Sequence, residues 1–426
     1  MRTFAIIWFG QLVSTTGSYM SEFALTLWAW EVTGSATALA LVGFFSQLLR
    51  IPVTLFAGLM VDRWHRQYLM MLGDSIAALA TIGIGILFFT DSLQIWHLYL
   101  AASLNGGFGQ IQSLAYKASI SSLVPPRQLT RANSMNSAVH YGSAIVGPAL
   151  AGVAYPLIGL LGILLIDLVT FGVAIATLCA IPMPQTPCPK TTVPGSLWAK
   201  LTFGFRVVWR QPSLRSLLMI TTTFWFFHDL GDAIYDPMIL ARTNGSTQIL
   251  AGTAAAAGIG GVTGAILLSV WGGPKRRVNG MLAGFIGAGL SKTIFGLGRS
   301  LAIWIPAQFC SSLNFPLLGS SETALWMTQI KPEHQGRVFA ANDLALQGVS
   351  AIAMLLAGPL ADRWLEPAMM SEGAWVNWLS PVFGSGPGAG MAILYTICSL
   401  TLLILGIGGW FIPQLRATES AQGDVP

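Results

Sequence analysis

The chain of 426 residues is 54% hydrophobic and only 9% charged, with a mean hydropathy of +0.65. A water-soluble domain carries about 25% charged residues, so the composition excludes an ordinary soluble protein and places the chain in lipid. The net charge of +5 does not point to nucleic acid, because the basic residues are spread over many short segments between apolar runs.

Crossing a bilayer takes about 20 mostly apolar residues. That ruler predicts twelve spans, at 4–29, 36–60, 68–90, 95–123, 133–155, 157–181, 213–236, 246–270, 280–298, 301–329, 338–360 and 388–412. The first run outlasts a signal-peptide core and reads as a retained helix. With the N-terminus in the cytoplasm, sixteen of the 22 basic residues fall in inner segments or, for Arg215, at the inner end of span 7, and three (Arg242, Arg299, Arg363) in outer loops. The positive-inside rule then puts both termini in the cytoplasm. The expected fold is all-α, twelve transmembrane helices in two six-helix bundles.

Taken along the chain, span 1 carries Glu22 with Phe23 and Trp28, and span 2 carries Arg50. Between spans 2 and 3 comes "AGLMVDRWHR" (57–66), followed by Asp74 in span 3 and Lys117 in span 4. Span 5 holds "GPALAG" (147–152) and span 6 holds Asp167. The segment 182–212 opens as a proline-rich linker. It continues as "LWAKLTFGFRVVWRQ", with Leu197, Leu201, Phe205 and Trp209 forming an apolar stripe flanked by Lys200, Arg206 and Arg210, the pattern of a helix lying on the inner leaflet. The domains are therefore expected at 1–181, 182–212, 213–412 and a tail at 413–426.

The second half brings Phe224, Trp225, Phe226 and Phe227 ahead of His228, Asp229 and Asp232 in span 7, Lys292 in span 9, and Phe315, Glu322 and Trp326 in span 10. No role for Lys292 emerges from sequence. Weak repetition at an offset of 206 aligns Pro126 with Pro332, Arg131 with Arg337, and "LAG" at 150–152 with 356–358. A second copy of the opening motif, "AGPLADRW" (357–364), ends span 11 and so faces outside. It cannot repeat an inner-side device, and with Trp375 and Trp378 it reads as an interfacial segment whose likeness to the first is coincidental.

"GLMVDRWHR" resembles the loop signature of the major facilitator superfamily, with Gly58, Asp62, Arg63 and Arg66 matching and Met60, His65 and Gln67 departing. "GPALAG" resembles the antiporter signature of that superfamily in Gly147, Pro148 and Gly152, with Ala151 departing and Ser143 where a glycine is expected. Together with "TGSAT" (33–37) and "WGGPKRR" (271–277), these segments look most like the drug-efflux branch that holds macrolide exporters and the enterobactin exporter.

The resemblance implies that spans 1, 4, 7 and 10 line a central cavity. Proton-coupling candidates are then Glu22, Asp229, Asp232 and Glu322. A carboxyl in apolar surroundings holds its proton to higher pH and can carry it inward. Cavity candidates are Phe23, Trp28, Arg50, Lys117, Trp225, His228, Phe315 and Trp326, with Lys117 able to reach Glu322. Asp62 is expected against a helix N-terminus, and Arg63 and Arg66 against carboxylates such as Asp74, as a cytoplasmic gate. Arg63 and Arg66 also fit plain positive-inside anchors, and the span 5 residues fit a packing kink.

Scattered cysteines (Cys179, Cys188, Cys310, Cys398) without CxxC spacing give neither a disulfide framework nor a metal site. With no Gly-Lys dipeptide there is no P-loop, and HExxH and GxSxG are absent as well. The reading is a monomeric multi-pass exporter of the inner or plasma membrane, moving a small amphipathic compound against protons, with no cofactor and no metal. A siderophore exporter of the same fold is the first alternative, since Arg50 and Lys117 suit carboxylates. A non-transporting sensor or assembly factor is the second.

Overall fold

The computed structural model describes residues 2–125, 128–181, 197–330, 332–370 and 374–415, and every regular element among them is helical. The first part of the chain forms α1 (Arg2–Thr33), α2 (Ala36–Arg63), α3 (Arg66–Phe89), α4 (Ile95–Leu123) and α5 (Leu129–Ala180). Then come α6 (Leu197–Arg210), α7 (Pro212–Asp232), α8 (Tyr235–Arg242), α9 (Thr247–Trp271) and α10 (Arg277–Leu297). The chain ends with α11 (Leu301–Gln329), α12 (Pro332–Pro359), a π-helical stretch (Leu360–Leu365), α13 (Glu366–Met370), α14 (Ala374–Phe383) and α15 (Ala389–Gly409).

By length and apolar composition, eight helical stretches can cross a membrane, against the twelve spans expected. Part of the difference lies in α5, whose 52 residues cover two expected spans. Gly159, with φ 64° and ψ −173°, breaks the helix there, three residues after Pro156. Only glycine adopts that backbone without strain. The rest lies in α1, α4 and α7, which have the length but are interrupted by "QLVSTTGSYMSE", "SLNGGFGQIQS" and "TTTFWFFHDLGD". These polar runs are where the candidate functional residues concentrate.

The chain divides into two compact units, one of Met1–Gly34, Leu41–Thr192 and Gly245–Ala255, the other of Ser35–Ala40, Val193–Asn244 and Ala256–Pro426. Unit 1 has a core of Ile7, Leu69, Met70, Ile111, Ala115, Tyr116 and Leu178, drawn from α1, α3, α4 and α5. Unit 2 has a larger core centred on Leu214, Leu217, Phe224, Met281, Phe285, Leu318, Leu325 and Trp326.

Within unit 2, α6 is held by one face. Val208 is buried in the core, and Phe203 meets the His334 ring edge-on at 5.0 Å with the Arg337 guanidinium 4.9 Å from its ring centre. Phe205 and Trp209 of the predicted stripe stay exposed. The side chains of Leu197, Lys200 and Leu201 lie outside the described residues, as do those of Gly58, Asp62, Arg63, Pro126, Arg131 and Trp375 and the whole of 182–196 and 416–426.

At one end of unit 2, charged side chains fasten the turns. Arg242 donates to the carbonyls of Gly298 (2.7 Å), Phe383 (2.8 Å) and Gly388 (3.2 Å). Arg299 reaches the carbonyls of Ser380 and Pro381, while Glu366 accepts from the amides of Gly388 and Gly390. Burial, and after it the nearby Arg299, lower the Arg242 guanidinium to about 10, with Glu366 acting the other way, so it keeps its charge at neutral pH. The "AGPLADRW" segment belongs to this end too. Asp362 accepts from the Ser35 hydroxyl (2.7 Å) and from the amides of Thr37 (2.8 Å) and Ala36 (3.2 Å), at the start of α2. Asp362 of the second copy thus caps the first turn of α2.

Candidate functional site

In unit 1, α3 carries Asp74 into the helix packing, where it is buried. Gln112 of α4 donates to one carboxylate oxygen at 2.6 Å and Gln11 of α1 to the other at 3.4 Å. The Gln112 amide also lies 3.1 Å from the Gln11 carbonyl oxygen, closing a three-residue network. This corrects the expected pairing of Arg66 with Asp74. The two are eight residues apart on one helix, about 12 Å along its axis, and Arg66 instead donates to the Ala118 carbonyl at 2.7 Å. Asp167 is likewise buried, facing the hydroxyls of Ser18 and Thr170, both at 3.5 Å.

The other unit 1 candidates lie differently. Glu22, Arg50 and Lys117 are exposed, and the Arg50 Nε donates to Gln110 at 3.1 Å. Phe23 and Trp28 are buried. A Cβ on Gly147 would come within 2.5 Å of the Tyr19 Cβ and 3.1 Å of the Thr16 carbonyl, and one on Gly152 within 2.5 Å of the Ala251 Cβ. Ser143 pairs with Thr16 at 3.0 Å between hydroxyls, and Pro148 is buried inside α5. At Gly147 α1 passes α5, and at Gly152 α9 passes α5, too closely for a side chain.

Unit 2 gathers the remaining candidates around α7. Trp225, His228 and Phe315 form an aromatic group, with ring centres 5.1 Å apart for Trp225–His228 and for His228–Phe315, and 6.1 Å for Trp225–Phe315. Phe224 backs this group, stacked on Phe285 at 3.9 Å. The His228 Nδ1 sits 3.1 Å from an Asp229 carboxylate oxygen. Glu322 of α11 is buried, with the indoles of Trp225 and Trp326 and the carboxylate of Asp343 in electrostatic reach. Trp326 is fully buried.

Lys292, without a role in the sequence, finds one here. Its Nζ lies 3.7 Å from Asp232 and 5.5 Å from the centre of the Tyr395 ring. The lysine is 5% exposed and the aspartate 57%, so the pair joins a buried cation to a largely exposed acid. Gln11 and Gln112 were also missed as partners of Asp74. The signal was present in principle, since a long amide side chain inside an apolar span needs a polar neighbour. Among the described residues, no group of three or more His, Cys, Asp or Glu side chains is placed to hold a metal ion.

The sequence profile of the Major Facilitator Superfamily matches residues 7–354. Macrolide efflux protein A of Streptococcus pyogenes is 27% identical over 365 residues, covering 84% of this chain and 89% of that protein. The multidrug efflux pump Tap of Mycolicibacterium fortuitum is 23% identical over 426 residues, covering 98% and 97%. Among solved structures, a POT family transporter in complex with 5-aminolevulinic acid superposes with a TM-score of 0.71 at 12% identity, over 97% of this chain and 96% of that one. A bacterial homologue of the human lysosomal transporter Spinster, inward-facing and unoccupied, gives 0.66 at 15% identity over 98% of each. At such identities the structures speak for the fold alone. The chain is thus a multi-pass membrane protein and belongs to the Major Facilitator Superfamily.

Proposed function

We propose that the protein exports a small amphipathic, drug- or macrolide-like compound against an inward flow of protons. It does so as a monomer in the cell membrane, by alternating access between two six-helix bundles with both termini in the cytoplasm. Similarity to efflux proteins over nearly the whole chain supports the direction and the substrate class. The observation that carries the coupling is Glu322, a buried acid that forms no ion pair among the described residues and lies beside the aromatic side chains of α7 and α11. A bare charge at membrane depth costs roughly 2.5–3.5 kcal/mol on insertion scales. A proton or a cationic group on the substrate removes that cost, and competition of the two for one carboxylate yields exchange.

The other three acids take lesser parts in this reading. Asp229 already has His228, Asp232 already has Lys292, and Glu22 is exposed. Trp225 and Phe315, half-buried, offer faces for an apolar substrate. The exposed Arg50 and Lys117 favour one second reading, a carboxylate-bearing chelator as cargo.

Purified protein in vesicles under an imposed pH gradient tests this directly. Addition of a macrolide is expected to drive proton movement in wild type and not in Glu322→Gln. Wild-type vesicles that show no substrate-dependent proton movement, from cells whose macrolide content is unchanged by deletion of the gene, would favour a non-transporting role. Chelator missing from the medium of a deletion strain in iron-poor growth would move the cargo to the second reading.

A further inference from the structure

Unit 1 holds two buried acids, and their surroundings are not alike. Asp74 receives a short bond, 2.6 Å from the Gln112 amide. Around Asp167 the donors are hydroxyls, and they stand back. Ser18 of α1 and Thr170 of α5 both face its Oδ1 at 3.5 Å, whereas a hydroxyl bound to a carboxylate sits at about 2.5–2.7 Å. The single Thr170 hydroxyl proton goes to the Asp167 carbonyl at 2.7 Å. The carboxylate is left with no more than the weak branch of a forked bond. Ser21 of α1 and Thr81 of α3, both buried, are the other hydroxyls in electrostatic reach. Asp167 forms no ion pair among the described residues.

The sequence builds this arrangement by spacing. Ser18 and Ser21 are three residues apart on α1, and Asp167 and Thr170 three apart on α5, so each helix turns two oxygen-bearing side chains to one side. A Cβ on Gly17 would meet the Thr170 hydroxyl and come within 2.9 Å of the Asp167 Oδ1, so glycine there brings the α1 backbone against the acid. The result is one carboxylate and four hydroxyls from three helices. Such hard oxygen ligands suit alkali and alkaline-earth cations and not thiolate- or imidazole-seeking metals. The set carries one negative charge, which one monovalent cation neutralises. The spacing fits as well. Calcium takes oxygen ligands at about 2.3–2.6 Å, sodium has nearly the same radius, and ligands at right angles around such an ion stand about 3.3–3.7 Å apart. A separation of 3.5 Å is long for a hydrogen bond and right for two ligands of one ion.

We propose that Asp167, with Ser18, Ser21, Thr81 and Thr170, forms a binding site for one sodium ion that ties α1, α3 and α5 together inside unit 1. The ion removes the cost of a bare charge among apolar helices, as a partner must for any intramembrane acid. The site is separate from Glu322 and stands whether or not protons drive export. Its rival is a protonated carboxyl, which needs no ion.

Thermal unfolding of the purified full chain in detergent, at constant ionic strength, decides the matter. Replacing N-methylglucamine chloride by sodium chloride is expected to raise the midpoint by about 3 °C or more. Asp167→Asn should show no sodium-dependent rise. Ser18→Ala, which removes one oxygen and keeps the acid, should need about tenfold more sodium for the same rise. A wild-type midpoint that follows pH and ignores sodium overturns the site in favour of the protonated acid. An equal rise in potassium chloride would overturn sodium as the occupant. A sodium effect that survives Asp167→Asn also overturns the site. Should that variant fail to fold, a sodium dependence that Ser18→Ala leaves unchanged does the same. None of these readouts involves transport. Absence of macrolide-driven proton movement in vesicles would therefore remove the exporter reading and leave the sodium site standing.

Discussion

Unit 1 and unit 2 both carry acids inside long helices, and they satisfy them in opposite ways. In unit 1, Asp74 and Asp167 are surrounded by neutral donors, the amides of Gln11 and Gln112 and the hydroxyls of Ser18 and Thr170. In unit 2, Asp229 and Asp232 have titratable or cationic partners in His228 and Lys292, and Glu322 has aromatic side chains and a second acid. Neutral donors fix a carboxylate in place without offering a proton pathway. Partners that can themselves gain or lose charge make the acid's state depend on what else is bound. Under the proposed exchange, anchoring falls to unit 1 and coupling to unit 2.

The largest effect follows from Glu322. Glu322→Gln is expected to lower proton-linked exchange about tenfold or more, the equivalent of ~1.4 kcal/mol, with the protein still folded and inserted. Asp74→Asn, which keeps a carbonyl acceptor for the two glutamines, is expected to change exchange less than about twofold. Measuring both in the same vesicles breaks the comparison if Asp74→Asn costs as much as Glu322→Gln.

Next comes the Asp232–Lys292 pair. Removing one member of a buried pair costs about 3–5 kcal/mol, because the other charge is left without a partner. Asp232 is more than half exposed, so water screens it and a smaller loss is expected, about 1–2 kcal/mol for Asp232→Asn. Lys292→Gln/Asp232→Asn should recover most of that loss. A double-mutant cycle on thermal unfolding in detergent reads the coupling. Simple addition of the two single effects would show that the pair is not linked energetically.

Asp74 provides the matching stability test in unit 1. Asp74→Leu strands the Gln11 and Gln112 amides in the helix packing, and a buried unsatisfied donor costs about 1–3 kcal/mol. The effect should appear in thermal unfolding and leave the pH dependence of export unchanged. A shifted pH profile in Asp74→Asn would move unit 1 into the coupling role.

Helices were easy to place from sequence and partners were not. The expected span at 95–123 coincides with α4, and the spans at 68–90 and 280–298 fall within about three residues of α3 and α10. Apolar length dictates those boundaries locally. The expected span 213–236 ends early, since α7 stops at Asp232 and the chain turns into α8 at Tyr235. The short helix α14 was not foreseen, since ten residues with an internal proline lack any spanning signature. Asp74 with Gln112, Asp232 with Lys292, and Asp362 with Ser35 lie 38, 60 and 327 residues apart. No local periodicity carries that information. The same limit made Arg66 look like a partner for Asp74, because nearness along the sequence stood in for nearness in space.

The smallest expected effect concerns the surface of unit 2 that bears no acid at all. Trp209 is 60% exposed on α6, while Val208 beside it is buried in the core. Exposed positions away from special contacts change stability by about 0.5 kcal/mol or less, so Trp209→Ser should leave thermal unfolding in detergent nearly unmoved. Val208→Ala, which opens a small cavity, should cost about 1 kcal/mol. In a bilayer the order should reverse for a different observable. An exposed aromatic next to Arg206 and Arg210 suits the headgroup boundary, so quenching of Trp209 fluorescence by lipid-borne quenchers should be strong in vesicles. A Trp209 that only aqueous quenchers reach would mean that α6 rests on unit 2 alone, and the apolar stripe read from the sequence would then have no lipid to face.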